Sequence, residues 1–235
     1  MEIIKHNWFL ITMLVLATII SFVWLFVFNR KKLNAKWWEV LILVLLHTTY
    51  GVLTVKFFAI LEVGFNFEKA GSMSLFGGIF FMPIMYYVYA KIKKLPLSLV
   101  FDIFVVPLAT TLLLARINCL HAGCCQGIII NDEKGIRWPA REVDLAIHTL
   151  FLILAISWIM KNKSNGLAYP AYMAAYGIIR FFNEWFRENS GSNVFHIGHV
   201  WAIVSSVIGL LLMLLLLVCN KDPEEKGAND ENQKA

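Results

Sequence analysis

The stretch Tyr176-Gly-Ile-Ile-Arg-Phe-Phe-Asn-Glu-Trp-Phe-Arg187 sets a tyrosine, two arginines and a glutamate into a chain that is otherwise strongly apolar. Tyr176, Arg180 and Glu184 recur every four residues and Arg187 follows three later, so on a helix all four share one face. Inside or beside a bilayer such side chains are costly, and by default they mark a functional site whose partners face the protein interior. A plainer reading stands beside it. Arg180 and Glu184 neutralise one another across one helical turn, and Arg187 snorkels to the interface.

The sequence around this face belongs to a membrane protein. Of 235 residues, 59% are hydrophobic, and the mean hydropathy is +0.66, well above a soluble domain. Apolar runs of roughly 20 residues, enough to cross a bilayer as helix, predict an all-α polytopic membrane protein with seven transmembrane helices. The spans fall near 8–28, 38–61, 73–90, 97–116, 143–160, 167–186 and 196–218. Residues 1–220 read as a single transmembrane helical domain, with no room for a separate soluble one. Residues 221–235 are polar, lack apolar periodicity and read as a disordered cytoplasmic tail. The first run is followed by Asn29-Arg-Lys-Lys32 and no small-residue cleavage site, so it reads as a retained helix.

The formal net charge of +5 resides in short loops, where it sets topology, and no nucleic-acid partner is expected. The loop after the first span carries Arg30, Lys31, Lys32 and Lys36, that after the third Lys91, Lys93 and Lys94, and that after the fifth Lys161 and Lys163. Loops after even spans are mixed, as with Glu62, Glu68 and Lys69. The positive-inside rule then places the N-terminus outside and the C-terminus inside.

Topology gives depth. Arg180 and Glu184 fall in the outer half of the sixth span, and Arg116 at the outer end of the fourth. The third span opens outside with Gly71-Ser-Met-Ser-Leu-Phe-Gly-Gly78, and the seventh opens outside with His196 and His199. Arginine holds phosphate bidentately and stays charged, and the phosphate at that depth is a lipid headgroup. Glutamate can hold an arginine in place, and tyrosine or histidine can move a proton. Gly77 and Gly78 admit either an acyl chain or a neighbouring helix.

Three stretches together resemble the prolipoprotein diacylglyceryl transferase family. The first is Gly71-Ser-Met-Ser-Leu-Phe-Gly-Gly78. The second runs from Asp102 to Arg116-Ile-Asn-Cys-Leu-His-Ala-Gly-Cys-Cys-Gln-Gly127. The third, the most specific, is Tyr176-Gly-x-x-Arg180-Phe-x-x-Glu184-Trp-Phe-Arg187. Weaker echoes are Pro139 to Asp144 and Gly198-His199. Phe76 stands where the family has a histidine thought to act as a base, Cys119 where it has Asn and Cys124 where it has Glu, so the chain looks like a divergent branch with a Gly-Cys-Cys-x-Gly motif.

The resemblance implies transfer of a diacylglyceryl group from phosphatidylglycerol to the cysteine thiol of a prolipoprotein, at the outer leaflet of the bacterial plasma membrane. The implied partners are phosphatidylglycerol, the prolipoprotein signal peptide and the membrane, with no cofactor. Arg116 and Arg180 are then expected to bind the phosphate, Glu184 to orient a cation or headgroup hydroxyl, and Tyr176 to accept a proton. Gly77, Gly78, His121, Gly123, Arg187 and His199 are expected to bind substrate, with His121 and His199 as substitutes for the base missing at Phe76. Two alternatives stay open: a catalytically decayed relative that binds phospholipid or a membrane partner, and a transferase with a different acceptor.

Cys119, His121, Cys124 and Cys125 cluster at the same face. No metal site is expected, because adjacent cysteines do not readily ligate one tetrahedral ion; a disulfide or small-residue packing are the other readings. His47 and His148 read as packing residues, Asp102 as a cap or pair within the bundle, and Cys219 as packing.

Overall fold

The computed structural model describes residues 2–66, 73–161, 165–188 and 195–232, with 2–7 and 219–232 described by backbone alone. Gly71, Ser72, Glu68, Lys69 and Lys163, and the Cys219 side chain, lie outside the described residues. The chain forms α1 (Glu2–Val23), which continues through a π-helical turn at Trp24–Asn29, then α2 (Trp37–Glu62), α3 (Phe76–Lys93) and α4 (Leu97–Ala122). A small hairpin, β1 (Ile129–Asn131) and β2 (Ile136–Arg137), leads to α5 (Ala140–Met160), α6 (Ala168–Glu184) and α7 (Ile197–Asn232). The backbone of α7 thus stays helical past residue 221, where the sequence reading begins the polar tail.

Among the described residues, five stretches are long and apolar enough to cross a membrane: Trp8–Asn29, Trp37–Glu62, Leu97–Ala122, Ala140–Met160 and Ile197–Val218. The other two helices of the expected seven are less apolar for a local reason. α6 has 17 residues and includes Arg180 and Glu184, and α3 carries Tyr86, Tyr87, Tyr89, Lys91 and Lys93. Both are lined by protein: α3 packs on α2 and α4, and α6 on α4, α5 and α7. A helix that meets neighbours tolerates polar groups that a lipid-facing helix does not.

α4 is the centre of the bundle, packed against α1, α3, α5 and α6, with Val100, Ile103, Phe104, Val105 and Ala109 fully enclosed. The outer faces of α1 and α7 present Ile11, Val15, Ile19, Leu211, Leu214 and Leu215 to the surroundings. In water such a belt would drive aggregation; against acyl chains it is the required surface.

Prolines tie the helices together. Pro107 lacks an N–H and leaves the carbonyl of Ile103 without its intrahelical donor; the Trp24 indole of the π-helical turn donates to it at 3.0 Å. Pro83 does the same to Ile79 within α3, and the Tyr169 hydroxyl of α6 donates there at 2.5 Å. Each break in a helix thereby becomes a cross-link to another helix, as apolar surroundings demand. Asp102 joins α4 to the start of α6: its carboxylate accepts the backbone N–H groups of Gly166 at 2.8 Å and Ala168 at 3.0 Å. This is the capping role expected of it. At Gly177 a Cβ would meet the Ala202 carbonyl oxygen at 2.5 Å, which is why α6 and α7 run in such close contact.

Candidate active site

The polar face of α6 turns inward and meets α4 and α5 on a single carboxylate. The Arg116 guanidinium of α4 lies 3.0 Å from Asp144 Oδ2, and that of Arg180 lies 3.4 Å from the same oxygen. The side-chain amide of Asn183 donates to the other Asp144 oxygen at 2.7 Å and to the Ala140 carbonyl at 2.9 Å. The Trp138 indole donates to the Asn183 side-chain oxygen Oδ1 at 3.1 Å. Asp144 is therefore held on every side, and the two arginines converge because they share it.

Arg180 also pairs with Glu184 one turn on. That much matches the self-neutralising reading, but the pair is not closed. Glu184 also takes Arg187 at 3.2 Å and the His196 Nε2 at 2.9 Å. Gly198 lets the start of α7 come down on this carboxylate, since a Cβ there would stand 2.8 Å from Glu184 Oε1. Arg116, Asp144, Arg180 and Glu184 are each at most 6% exposed, so their charges are removed from water and must be balanced locally. Arg116, Arg180 and Arg187 face Asp144 and Glu184, the half-buried Glu62 of α2 lies close enough to act on Arg180 and Glu184 as well, and the Nε atoms of Arg116 and Arg180 have no hydrogen-bond partner among the described residues.

Tyr176 is buried beside the guanidinium groups of Arg180 and Arg116. Its ring meets Phe76 edge-on at 5.5 Å and His148 at 5.3 Å. Phe76, the position where the family resemblance has histidine, therefore touches the site. His148 is buried with Nδ1 3.0 Å from the Tyr172 hydroxyl, a hydrogen-bonded packing residue as expected.

The expected substrate-binding residues divide. Arg187 belongs to the network through Glu184. His199 is fully buried in a box of Trp185, Phe195 and His196 rings, with its Nδ1 facing the His196 backbone N–H at 3.4 Å. His121 is exposed and stacks on Phe9 of α1 at 3.9 Å, outside the charged network. Gly77 is used for helix packing: a Cβ there would overlap the Thr54 carbonyl of α2. Gly78 faces Leu108, Leu112 and Val55 and lines an apolar cavity of about 50 Å³ with His47 and Met82. Gly123 ends α4 in the left-handed conformation, φ +69°.

Asp144, Asn183 and His196 complete the network without having been singled out for it. Asp144 lies in the weak Pro139-to-Asp144 echo, His196 beside the expected His199, and Asn183 within the quoted stretch itself. Asn183 stands three residues after Arg180 and seven after Tyr176, so helical spacing puts it on the same face and could have found it.

Beyond α4 the chain turns sharply through Gly123, Cys124 and Cys125. Cys125 has φ +58°, unusual for a residue with a side chain. Cys119, Cys124 and Cys125 carry reduced thiols whose sulfurs all lie within 4.8 Å of one another. Hydrogen bonds from the Cys119 and Cys124 thiols, helped by the Arg116 and Arg180 guanidiniums, hold the Cys125 thiol well below its ordinary range. The same bonds, to Cys119 first, push the Cys124 thiol up. The following backbone is sewn to the end of α6: Ile128 donates to the Phe186 carbonyl at 2.9 Å and Glu188 to that of Gln126 at 3.0 Å. Gly127 sits where a Cβ would overlap the Trp138 carbonyl, which accounts for the last glycine of the Gly-Cys-Cys-x-Gly motif.

The sequence profile of the prolipoprotein diacylglyceryl transferase family matches residues 4–215. Among similar proteins, the phosphatidylglycerol–prolipoprotein diacylglyceryl transferase of Helicobacter pylori strain J99 is 25% identical over 177 residues, covering 68% of this chain and 62% of that protein. The corresponding Helicobacter acinonychis protein is 24% identical over 169 residues, covering 63% of this chain and 59% of that one. Transferase 2 of Clostridium perfringens strain 13 is 33% identical over 106 residues, covering 40% of this chain and 41% of its own. The chain spans about three fifths of the length of the curated Helicobacter relatives it matches. With nine-tenths of its length under one family profile, this multi-pass helical chain belongs to the prolipoprotein diacylglyceryl transferase family.

Proposed function

We propose that this protein transfers the diacylglyceryl group of phosphatidylglycerol to the cysteine thiol of a prolipoprotein, at the outer leaflet of the plasma membrane. In this reading α3 and α6 also cross the bilayer, the N-terminus lies outside and the C-terminus inside, and the acceptor is presented on its signal peptide. The observation that carries it is the convergence of Arg116 and Arg180, from two helices, on one buried carboxylate, with both guanidinium Nε donors unpartnered among the described residues. A phosphodiester brings the acceptor oxygens for those donors, and a guanidinium matches it bidentately.

In the reaction the thiol sulfur bonds to the glyceryl carbon, the carbon–oxygen bond to phosphate breaks, and the electron pair departs on glycerol phosphate. Arg116 and Arg180 stabilise charge as it gathers on that oxygen, in a site dry enough for such stabilisation to be large. Asp144 and Glu184 hold the guanidiniums in register, and Arg187 borders the headgroup. The thiol proton passes to one of two carriers beside the arginines. Tyr176 is fully enclosed, whereas His196 is partly open and sits on Glu184.

Complementation tests this reading. A strain depleted of its own transferase and supplied with this protein is expected to lipidate a prolipoprotein, read as a mobility shift, and Arg116→Ala or Arg180→Ala is expected to abolish the shift. Failure of the unmodified protein to lipidate overturns it.

One observation favours a second reading, a relative that binds phospholipid without turning it over: Phe76 puts an inert ring against Tyr176. That reading prevails if Tyr176, Arg180 and Glu184 are all replaceable without loss of lipidation while phosphatidylglycerol still binds.

A further inference from the structure

Three thiols in one turn are more than packing requires. Successive residues in a helix or strand point their side chains apart, which is the reason to expect that Cys124 and Cys125 do not serve one ion. The left-handed steps at Gly123 (φ +69°) and Cys125 (φ +58°) remove that objection. They fold the chain back over the last turn of α4, so that both side chains return to Cys119, and all three sulfurs come within 4.8 Å of one another. Zinc–sulfur bonds of about 2.3 Å put the sulfurs of a tetrahedral site about 3.8 Å apart, a closure within the reach of side-chain rotation. The cluster is half open: Cys119 and Cys125 are partly covered and Cys124 is exposed, so an ion has a way in. Three protein ligands with one position left over is the pattern of a zinc site that works on a substrate, whereas a structural site closes all four.

We propose that Cys119, Cys124 and Cys125 bind one thiophilic d10 cation, Zn2+ by class, and leave its fourth position for the thiol of the acceptor peptide. The second half rests on the transferase reading above. The cluster stands one helical turn beyond Arg116, so a thiol held there is next to the arginines assigned to the phosphate. A thiol that coordinates zinc is deprotonated outright. With the metal bound, its proton leaves to solvent through the open side in place of Tyr176 or His196, the sulfur keeps its electron pair and forms the bond to the glyceryl carbon, and the carbon–oxygen bond to phosphate breaks with its electrons going to glycerol phosphate. The metal keeps its oxidation state. Such a device supplies a nucleophilic sulfur without a histidine at position 76.

The full chain, purified in detergent with a non-thiol reductant, is expected to carry one zinc per protein. After exchange for Co2+ it is expected to show thiolate-to-cobalt charge-transfer absorption. Cys119→Ser and Cys124→Ser are each expected to weaken zinc binding at least about 100-fold. If either variant fails to fold, the cobalt spectrum of the unmodified protein alone decides. No metal, metal retained in the Cys119→Ser/Cys124→Ser double variant, or a disulfide among the three after thiol alkylation in intact cells overturns the site. For the fourth position, a signal peptide ending in its acceptor cysteine is expected to intensify the charge-transfer band, and the same peptide with serine is not. An unchanged band with the cysteine peptide overturns the acceptor role. Zinc content is read without any lipidation assay, so a chain that holds zinc and lipidates nothing sinks the transferase reading and leaves the metal site standing.

Discussion

Asp102 and Asp144 are two aspartates buried in one bundle, and they are satisfied in opposite ways. Asp102 accepts two backbone N–H groups at the start of α6 and has no cation against it among the described residues. Asp144 takes two arginines from two helices and an asparagine amide. Backbone donors are fixed by the fold and go nowhere, so Asp102 closes a joint. Guanidinium groups carry charge that a substrate can compete for, so Asp144 holds an arrangement in readiness. Burial alone does not separate structure from chemistry; the partners do.

The contrast is broken if charge at Asp144 proves dispensable. Asp144→Asn keeps the shape and removes the charge that aligns Arg116 and Arg180, and lipidation in the complementation assay is expected to fall by roughly 10²–10³-fold. Gly198→Ala pushes on Glu184 without touching a charge, and initial rates of lipidation are expected to drop by about 10-fold or more, as small misplacements of reacting groups do. Asp102→Ala should act on the other side of the comparison. It removes the cap of α6 and is expected to destabilise the protein by about 2 kcal/mol, seen as a lower thermal midpoint in detergent, with lipidation per folded molecule unchanged. Trp24→Phe leaves the Ile103 carbonyl without its donor and is expected to cost about 1 kcal/mol by the same measurement. An Asp102→Ala protein that is stable but inactive would erase the distinction.

The sequence made the charged face of α6 legible because four residues at helical spacing in an apolar chain leave few places to go. Arg116, singled out beside it, does join Arg180 on one carboxylate. Asp144 was harder to see: one carboxylate near the start of an apolar helix carries no spacing signal, and its meaning comes from helices brought together in three dimensions. Gly77 shows a choice the sequence left open. Its position in a glycine-rich motif admits either lipid or a neighbouring helix, and the space is taken by the α2 backbone. The number of apolar spans differs for a related reason: α3 and α6 pack against neighbouring helices and carry polar groups there, so they fall short of the apolar length that marks the other five. The convergence of Cys124 and Cys125 depends on two left-handed backbone steps, and only Gly123 advertises one of them.

The pairing of residues 126–128 with 186–188 has a mechanical consequence. The segment that bears the cysteines is laced to the end of α6, so neither can swing aside alone. Lifting that segment would drag Arg187, and with it the grip on Glu184. Under the proposed function, a bulky two-tailed substrate is therefore expected to enter sideways, between helices, and not past this laced strip.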